Sequence, residues 1–327
     1  MEFWLPLIFA GVCGLSLLLY VILDGYDLGV GLLLPFANAE EKDVMVASIG
    51  PFWDANETWI VLGVGILLIA FPEAHGAILT SLYLPATLML MGLVLRGVAF
   101  DFRIKAATAY KYRWNALFSA GSMLAALCQG WMLGSYITGL TPTPLNVLFA
   151  LMTAFCLPVL YLMLGAVWLM GKTAGTLPVK AARWARRMWL PLGFSLLVIS
   201  IATPLVSAGI AAKWFTLPAL LYLLPIPLSA LLCYSWLGLA LSGRVKTRPL
   251  YIFAAIALIC VMAAAGLGYS IYPDIIIGQL GIHEAAAATE SLLFAFWGVA
   301  VTLPLILGYT WFIYRIFSGN DIQQHYD

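Results

Sequence analysis

The sequence predicts an all-α polytopic membrane protein of about nine transmembrane helices, arranged as two four-helix bundles plus one extra helix. Three observations carry that prediction. Of 327 residues, 63% are hydrophobic and 9% charged, a balance that no water-soluble domain of this size sustains. Apolar runs of roughly 20 residues, enough to cross a bilayer, recur along the whole chain. Lys and Arg segregate with the parity of those runs. One integral membrane domain over residues 1–327 follows, with no linker rich in Pro, Gly and Ser and no low-complexity tract.

Each span is an apolar run bounded by polar or charged residues. The first covers about 5–23, with a helix that can continue to residue 36 past Asp24 and Asp27. The second, 52–71, opens on Asp54 and Glu57; the third, 78–100, closes on Arg96, Asp101 and Arg103. The fourth and fifth, 114–138 and 146–170, lie between Arg113 and Lys172. The sixth, 188–208, follows Arg183, Arg186 and Arg187; the seventh, 215–241, runs from Lys213 to Arg244. The eighth and ninth cover 251–272 and 288–316, from Arg248 to Arg315.

With nine spans, 15 of the 16 Lys and Arg fall on the side opposite the N-terminus, and only Lys213 shares its side. The positive-inside rule then places the N-terminus outside and the C-terminus in the cytoplasm. An even number of spans would destroy this segregation. The short basic connections 101–113 and 171–187 read as interfacial segments touching anionic headgroups. A formal net charge of +1 argues against nucleic acid as a partner. Ala37-Asn38-Ala39 imitates a signal cleavage site, but Glu2 replaces the basic n-region and the apolar run is too long.

The candidate chemistry is concentrated in residues 1–113, and 114–327 reads as scaffold and partner-packing helices. Asp24 and Asp27 read as the cytoplasmic end of helix one, and Asp54 and Glu57 as the first turns of helix two. Each pair is spaced three apart and shares a helix face. With Arg96 and Asp101 they form one depth of titratable side chains. A carboxylate at the bilayer centre costs about 2.5–3.5 kcal/mol, so such groups usually face protein or water and serve a path. The alternative is structural: Asp54 favoured by a helix N-terminus, and Arg96 as an ion-pair partner. Gly25, Gly29 and Gly31 bring small residues to one segment, and Gly25 and Gly29 form a G-x-x-x-G that permits close helix packing.

No catalytic side chain and no metal or cofactor ligand is assigned in this chain. His75 and His283 read as outer-loop residues and His325 as part of the tail, whereas membrane haem ligands usually sit inside helices. Cys13, Cys128, Cys156, Cys233 and Cys260 all fall in apolar spans without a C-x-x-C and read as packing residues.

Three blocks, Asp24-Gly25-Tyr26-Asp27-Leu28-Gly29-Val30-Gly31, Gly50-Pro51-Phe52-Trp53-Asp54-Ala55-Asn56-Glu57-Thr58-Trp59 and Leu95-Arg96-Gly97-Val98-Ala99-Phe100-Asp101-Phe102-Arg103, occur in an order and spacing that resembles subunit II of the cytochrome bd quinol oxidases, the second block being most similar to the cyanide-insensitive branch. The resemblance implies a non-haem subunit of a bacterial inner-membrane respiratory complex that oxidises quinol and reduces O2 to water. It implies haem b and haem d, or haem b only, in a partner subunit I. It leaves open a structural quinone in this chain and a small single-helix subunit beside it. The family's path acid matches Asp27, its entrance acid Asp54 and its arginine Arg96. Glu57 departs from relatives that carry an amide there. The expected role is a cytoplasmic proton path through Asp54 and Glu57 to Asp27 and Asp24, with Arg96 tuning a carboxylate. The rivals are a purely structural or assembly subunit and, from another class, a cation-coupled secondary transporter. The transporter would need broken helices and a repeat in both halves.

Overall fold

The computed structural model describes residues 3–316, so Glu2 and His325 lie outside the described residues. Nine helices there are long and apolar enough to cross a membrane. They are α1 (Trp4–Leu33), α3 (Trp53–Ala70), α4 (Pro72–Lys105), α5 (Lys111–Ile137), α6 (Pro144–Lys172), α7 (Leu177–Val206), α9 (Ala219–Leu223) continued by α10 (Pro225–Leu241) as one span, α11 (Pro249–Ile271) and α12 (Thr289–Ile316). Short helices α2 (Ala39–Ile49) and α8 (Ala208–Trp214) lie in the connections.

Helices α1, α3, α4 and α5 form one group and α6, α7, α10 and α11 the other, with α12 touching α1 and α3. The groups join where α6 packs on both α1 and α5. Glycine makes that junction possible. A Cβ at Gly29 would overlap the Tyr161 carbonyl oxygen and come within 2.9 Å of the Gly165 nitrogen. Gly92 and Gly121 do the same for α4 and α5, where either Cβ would meet the other's carbonyl oxygen. Van der Waals contact between backbones replaces the hydrophobic driving force that lipid does not supply. Pro85 removes a donor inside α4, and Leu82, at φ −111° and ψ 17°, takes the resulting kink.

Two features outside the spans were not anticipated. Helix α2 begins with a capping box: Asn38 Oδ1 accepts from the Glu41 N–H, and Glu41 Oε2 accepts from the Asn38 N–H, both at 2.8 Å. It buries Met45, Val46, Ser48 and Ile49 and turns Glu40, Lys42 and Asp43 outward. Lys180 Nζ donates to Glu41 at 2.6 Å, which holds the Glu41 carboxyl below the usual carboxylate range. At the other end of the molecule, strands β1 (Asp274–Ile276) and β2 (Leu280–Gly281) pair antiparallel. The hairpin packs Ile275, Ile276 and Leu280 on Leu5, Phe9, Ile66 and Ala70. Lys213, the basic residue that breaks the charge segregation, donates to the Ser270 and Tyr272 carbonyls at 2.9 and 2.5 Å. Its charge therefore caps the C-terminal end of α11. His75 falls in the first turn of α4 rather than in a loop, and His283 stacks on Phe3.

Candidate functional site

Asp24 and Asp27 lie well inside α1, not at its end. The helix continues unbroken to Leu33, because the glycines after Asp24 let α6 close against it while Arg96 and Asn56 meet the two carboxylates. Both aspartates are fully buried. Arg96, 1% exposed, reaches them from α4. Its Nη2 lies 2.6 Å from Asp24 Oδ1 and donates to Glu57 Oε2 at 3.1 Å. One guanidinium nitrogen is thus shared by two carboxylates from different helices. Glu57 is the member that reaches the surface, its side chain 25% exposed. Asp54, one turn earlier on the same face of α3, is exposed.

Asp27 has a separate set of neighbours. Asn56 Nδ2 donates to Asp27 Oδ2 at 2.8 Å and to the Tyr26 hydroxyl at 2.7 Å. The Tyr26 and Tyr314 hydroxyls are 2.7 Å apart, and Tyr314 donates to Asn56 Oδ1 at 3.1 Å. That triangle ties α12 to α1 and α3. Behind Asp24, Gln129 Nε2 donates to the Tyr20 hydroxyl and Gln129 Oε1 accepts from the Tyr161 hydroxyl, both at 2.6 Å. Tyr20 precedes Asp24 by one turn, so the amide fixes a hydroxyl against the aspartate's own helix face.

The structure therefore brings Asp24, Glu57 and Arg96 into contact, sets Asp27 beside them, and leaves Asp54 and Asp101 at the surface. Arg103 does not join them. It pairs with Asp43 at 2.6 Å and Asn115 at 2.5 Å, pinning α2 to α4 and α5. Asn56, Gln129, Tyr20, Tyr26, Tyr161 and Tyr314 are site neighbours that were not singled out from the sequence. An amide inside an apolar span, such as Asn56 or Gln129, was the available signal. Asn56 is buried, so the Asn56-Glu57-Thr58 sequon cannot present its amide to a glycosyltransferase.

Six buried side-chain atoms among the described residues have no aligned hydrogen-bond partner: Asp24 Oδ1 and Oδ2, Asp27 Oδ1, Arg96 Nε and Nη1, and Trp59 Nε1. The Asp24–Arg96 pair is close in distance without being aligned as a hydrogen bond. Five of the six belong to Asp24, Asp27 and Arg96, and the sixth to Trp59 on α3. Such atoms cost about 1–3 kcal/mol each when left unpaired. Among the described residues no group of three His, Cys, Asp or Glu side chains is placed to hold a metal ion.

Comparison with known proteins adds the following. A family model described as cytochrome bd terminal oxidase subunit II matches residues 5–317. The chain is 24% identical over 374 residues to subunit 2 of the cytochrome bd-I ubiquinol oxidase of Escherichia coli K12, covering 95% of each. It is 35% identical over 124 residues to subunit 2 of the cytochrome bd ubiquinol oxidase of Bacillus subtilis, 37% of each chain. A chain of the bd oxidase structure from Geobacillus thermodenitrificans shares the fold, with a TM-score of 0.76 at 19% identity, over 96% of this chain and 98% of that one.

Proposed function

The chain belongs to the cytochrome bd terminal oxidase subunit II family, as part of a quinol oxidase complex, and from that premise we propose that it carries a proton path from the cytoplasm towards the site of O2 reduction. In this reading it is the non-haem subunit, packed against a haem-bearing subunit I in the bacterial inner membrane. Its N-terminus is outside and its C-terminus cytoplasmic, as the 15-to-1 split of Lys and Arg supports. Haem b and haem d, or haem b only, reside in the partner and supply the electron transfer to O2.

Asp54 and Glu57 form the entrance, Arg96 is the counter-ion, and Asp24 and Asp27 pass protons inward through the internal water that their unpaired oxygens call for. Asp101 is a surface acid that collects protons near that entrance. The observation that carries the proposal is that a fully buried carboxylate, Asp24, reaches solvent through Arg96 and the one partly exposed member, Glu57. The path groups all belong to α1, α3 and α4, within one helix group and without a counterpart in the other, which supports a path over a transporter's repeated site.

Asp54→Asn in the assembled oxidase is the test. Quinol-driven O2 consumption should fall severalfold while haem content per complex stays normal. Loss of haem together with activity would make Asp54 an assembly element. The assembly reading has one observation of its own: Arg96 binds carboxylates from α1 and α3 at once, as a structural clamp would.

A further inference from the structure

The corner where α4 ends and α5 begins holds a groove of about 600 Å³, lined among others by Phe102, Lys105, Tyr110, Arg113, Trp114 and Leu117. Its wall is apolar and aromatic. Phe102 stacks on Trp114 with ring centroids 5.3 Å apart, and Leu117 continues that surface along α5. Its rim is cationic. The Arg113 guanidinium lies over the Tyr110 ring at 5.5 Å, and its Nε donates to the Tyr112 hydroxyl at 3.0 Å. Arg113 is thus oriented by aromatics rather than by an acid.

The neighbouring cations are used differently. Arg103 and Lys111 are both tied to Asp43, at 2.6 and 3.2 Å. Lys105 and Arg113 have no ion pair with an acidic side chain among the described residues. The acid nearest in sequence, Asp101, precedes Lys105 by one turn, is exposed and does not line the groove. The first turn of α5 carries no acidic residue and no side-chain cap, so nothing there repels an anion.

We propose that this groove binds an anionic phospholipid, with the phosphate held between Lys105 and Arg113 and an acyl chain laid along Phe102, Trp114 and Leu117. Charge and shape together select that occupant. Two cations without an acidic partner sit at the polar rim of an apolar slot, where two helices long and apolar enough to cross a membrane meet and where Tyr110 and Trp114 are aromatics of the kind favoured at headgroup level. The groove is distinct from the buried cluster, since Asp24, Asp27, Glu57 and Arg96 do not line it.

The test uses the intact oxidase complex, purified in mild detergent and delipidated. Native mass spectrometry is run with added phosphatidylglycerol, phosphatidylcholine or inorganic phosphate. The wild-type complex should retain phosphatidylglycerol in preference to phosphatidylcholine, and phosphate alone should not compete at equal concentration. Each basic side chain near the surface is worth about fivefold in affinity, so Lys105→Gln with Arg113→Gln should weaken retention roughly 20- to 30-fold. Lys246→Gln, on the same side but away from the groove, should leave it unchanged. Each single substitution, at an exposed position, should show an intermediate loss if the double variant assembles poorly. Equal retention of both lipids, competition by phosphate alone, or unchanged retention in the variants would overturn the proposal. So would no retained lipid in the wild type, the result expected if the partner subunit covers the groove.

Discussion

Arg96→Gln isolates what the buried cluster is worth. In the wild type the guanidinium faces Asp24 at 2.6 Å and Glu57 at 3.1 Å. At an effective dielectric of 20, those contacts correspond to gross attractions of about 6 and 5 kcal/mol. Most of this is offset by the cost of taking three charges out of water. What decides the outcome is therefore the state left behind. Glu57 is partly exposed and regains solvent, whereas Asp24 has none and becomes an uncompensated buried charge. Removing one partner of such a pair costs about 3–5 kcal/mol, and Arg96→Gln should strongly reduce the amount of assembled complex. Asp24→Asn placed on top removes the stranded charge and should restore most of the loss. The assays are haem content per milligram of membrane protein and the thermal transition of the purified complex. A double variant no more stable than Arg96→Gln alone would refute the assignment of Asp24 as the charge that Arg96 compensates. If the double variant assembles with full haem yet turns over slowly, the carboxylate serves proton transfer as well as the fold.

Three further outcomes follow from single contacts. Gly29→Leu should abolish assembly, because its Cβ overlaps the Tyr161 carbonyl and neither backbone can retreat; the readout is recovery of haem-bearing complex after mild-detergent extraction. Gln129→Leu strands the Tyr20 and Tyr161 hydroxyls in the core at about 1–3 kcal/mol each, which should lower the melting temperature of the complex measurably. The Glu41–Lys180 bond lowers the glutamate's pKa, so its contribution is fully present above the ordinary glutamate value of about 4.3 and is lost as pH falls below it. Protection factors of the α2 amides, which remove the pH dependence of intrinsic exchange, should therefore fall on acidification from pH 5 to below pH 4, and Glu41→Gln should remove that dependence. The effect is small, below about 1 kcal/mol, as for any partly solvated pair.

The spans were legible because a bilayer imposes a length and composition that local sequence must satisfy by itself. The nine helices fall where the apolar runs lie. Where helix one ends was less legible, since Asp24 and Asp27 look like a terminus when their partners are unknown. Arg96 and Asn56 lie 72 and 29 residues further along from Asp24 and Asp27, and only the packing of α4 and α3 on α1 brings them in. The 11-residue α2 is too short for a span, yet Asn38-Ala39-Glu40-Glu41 already carried the signature of its capping box. Asp54 and Asp101 share a depth with the buried acids in any hydropathy reading. Whether a side chain at that depth faces protein or solvent depends on helix rotation, which the packing glycines set and composition does not.

That distinction bears on how the site works. Two fully buried aspartates three residues apart repel each other when both are ionised, and their surroundings here are unlike. Asp24 faces a guanidinium, while Asp27 accepts from the neutral amide of Asn56, whose orientation Tyr314 fixes by donating to its carbonyl. One carboxylate thus has a full countercharge and the other only neutral hydrogen bonds. In the proposed path this inequality would give the two coupled sites different proton affinities. It also gives α12 a role beyond packing. The last helix touches the rest of the described structure lightly, but Tyr314 completes the triangle that holds Asn56 against Asp27. The chemistry read in the first 113 residues is therefore completed by a hydroxyl from the far end of the chain.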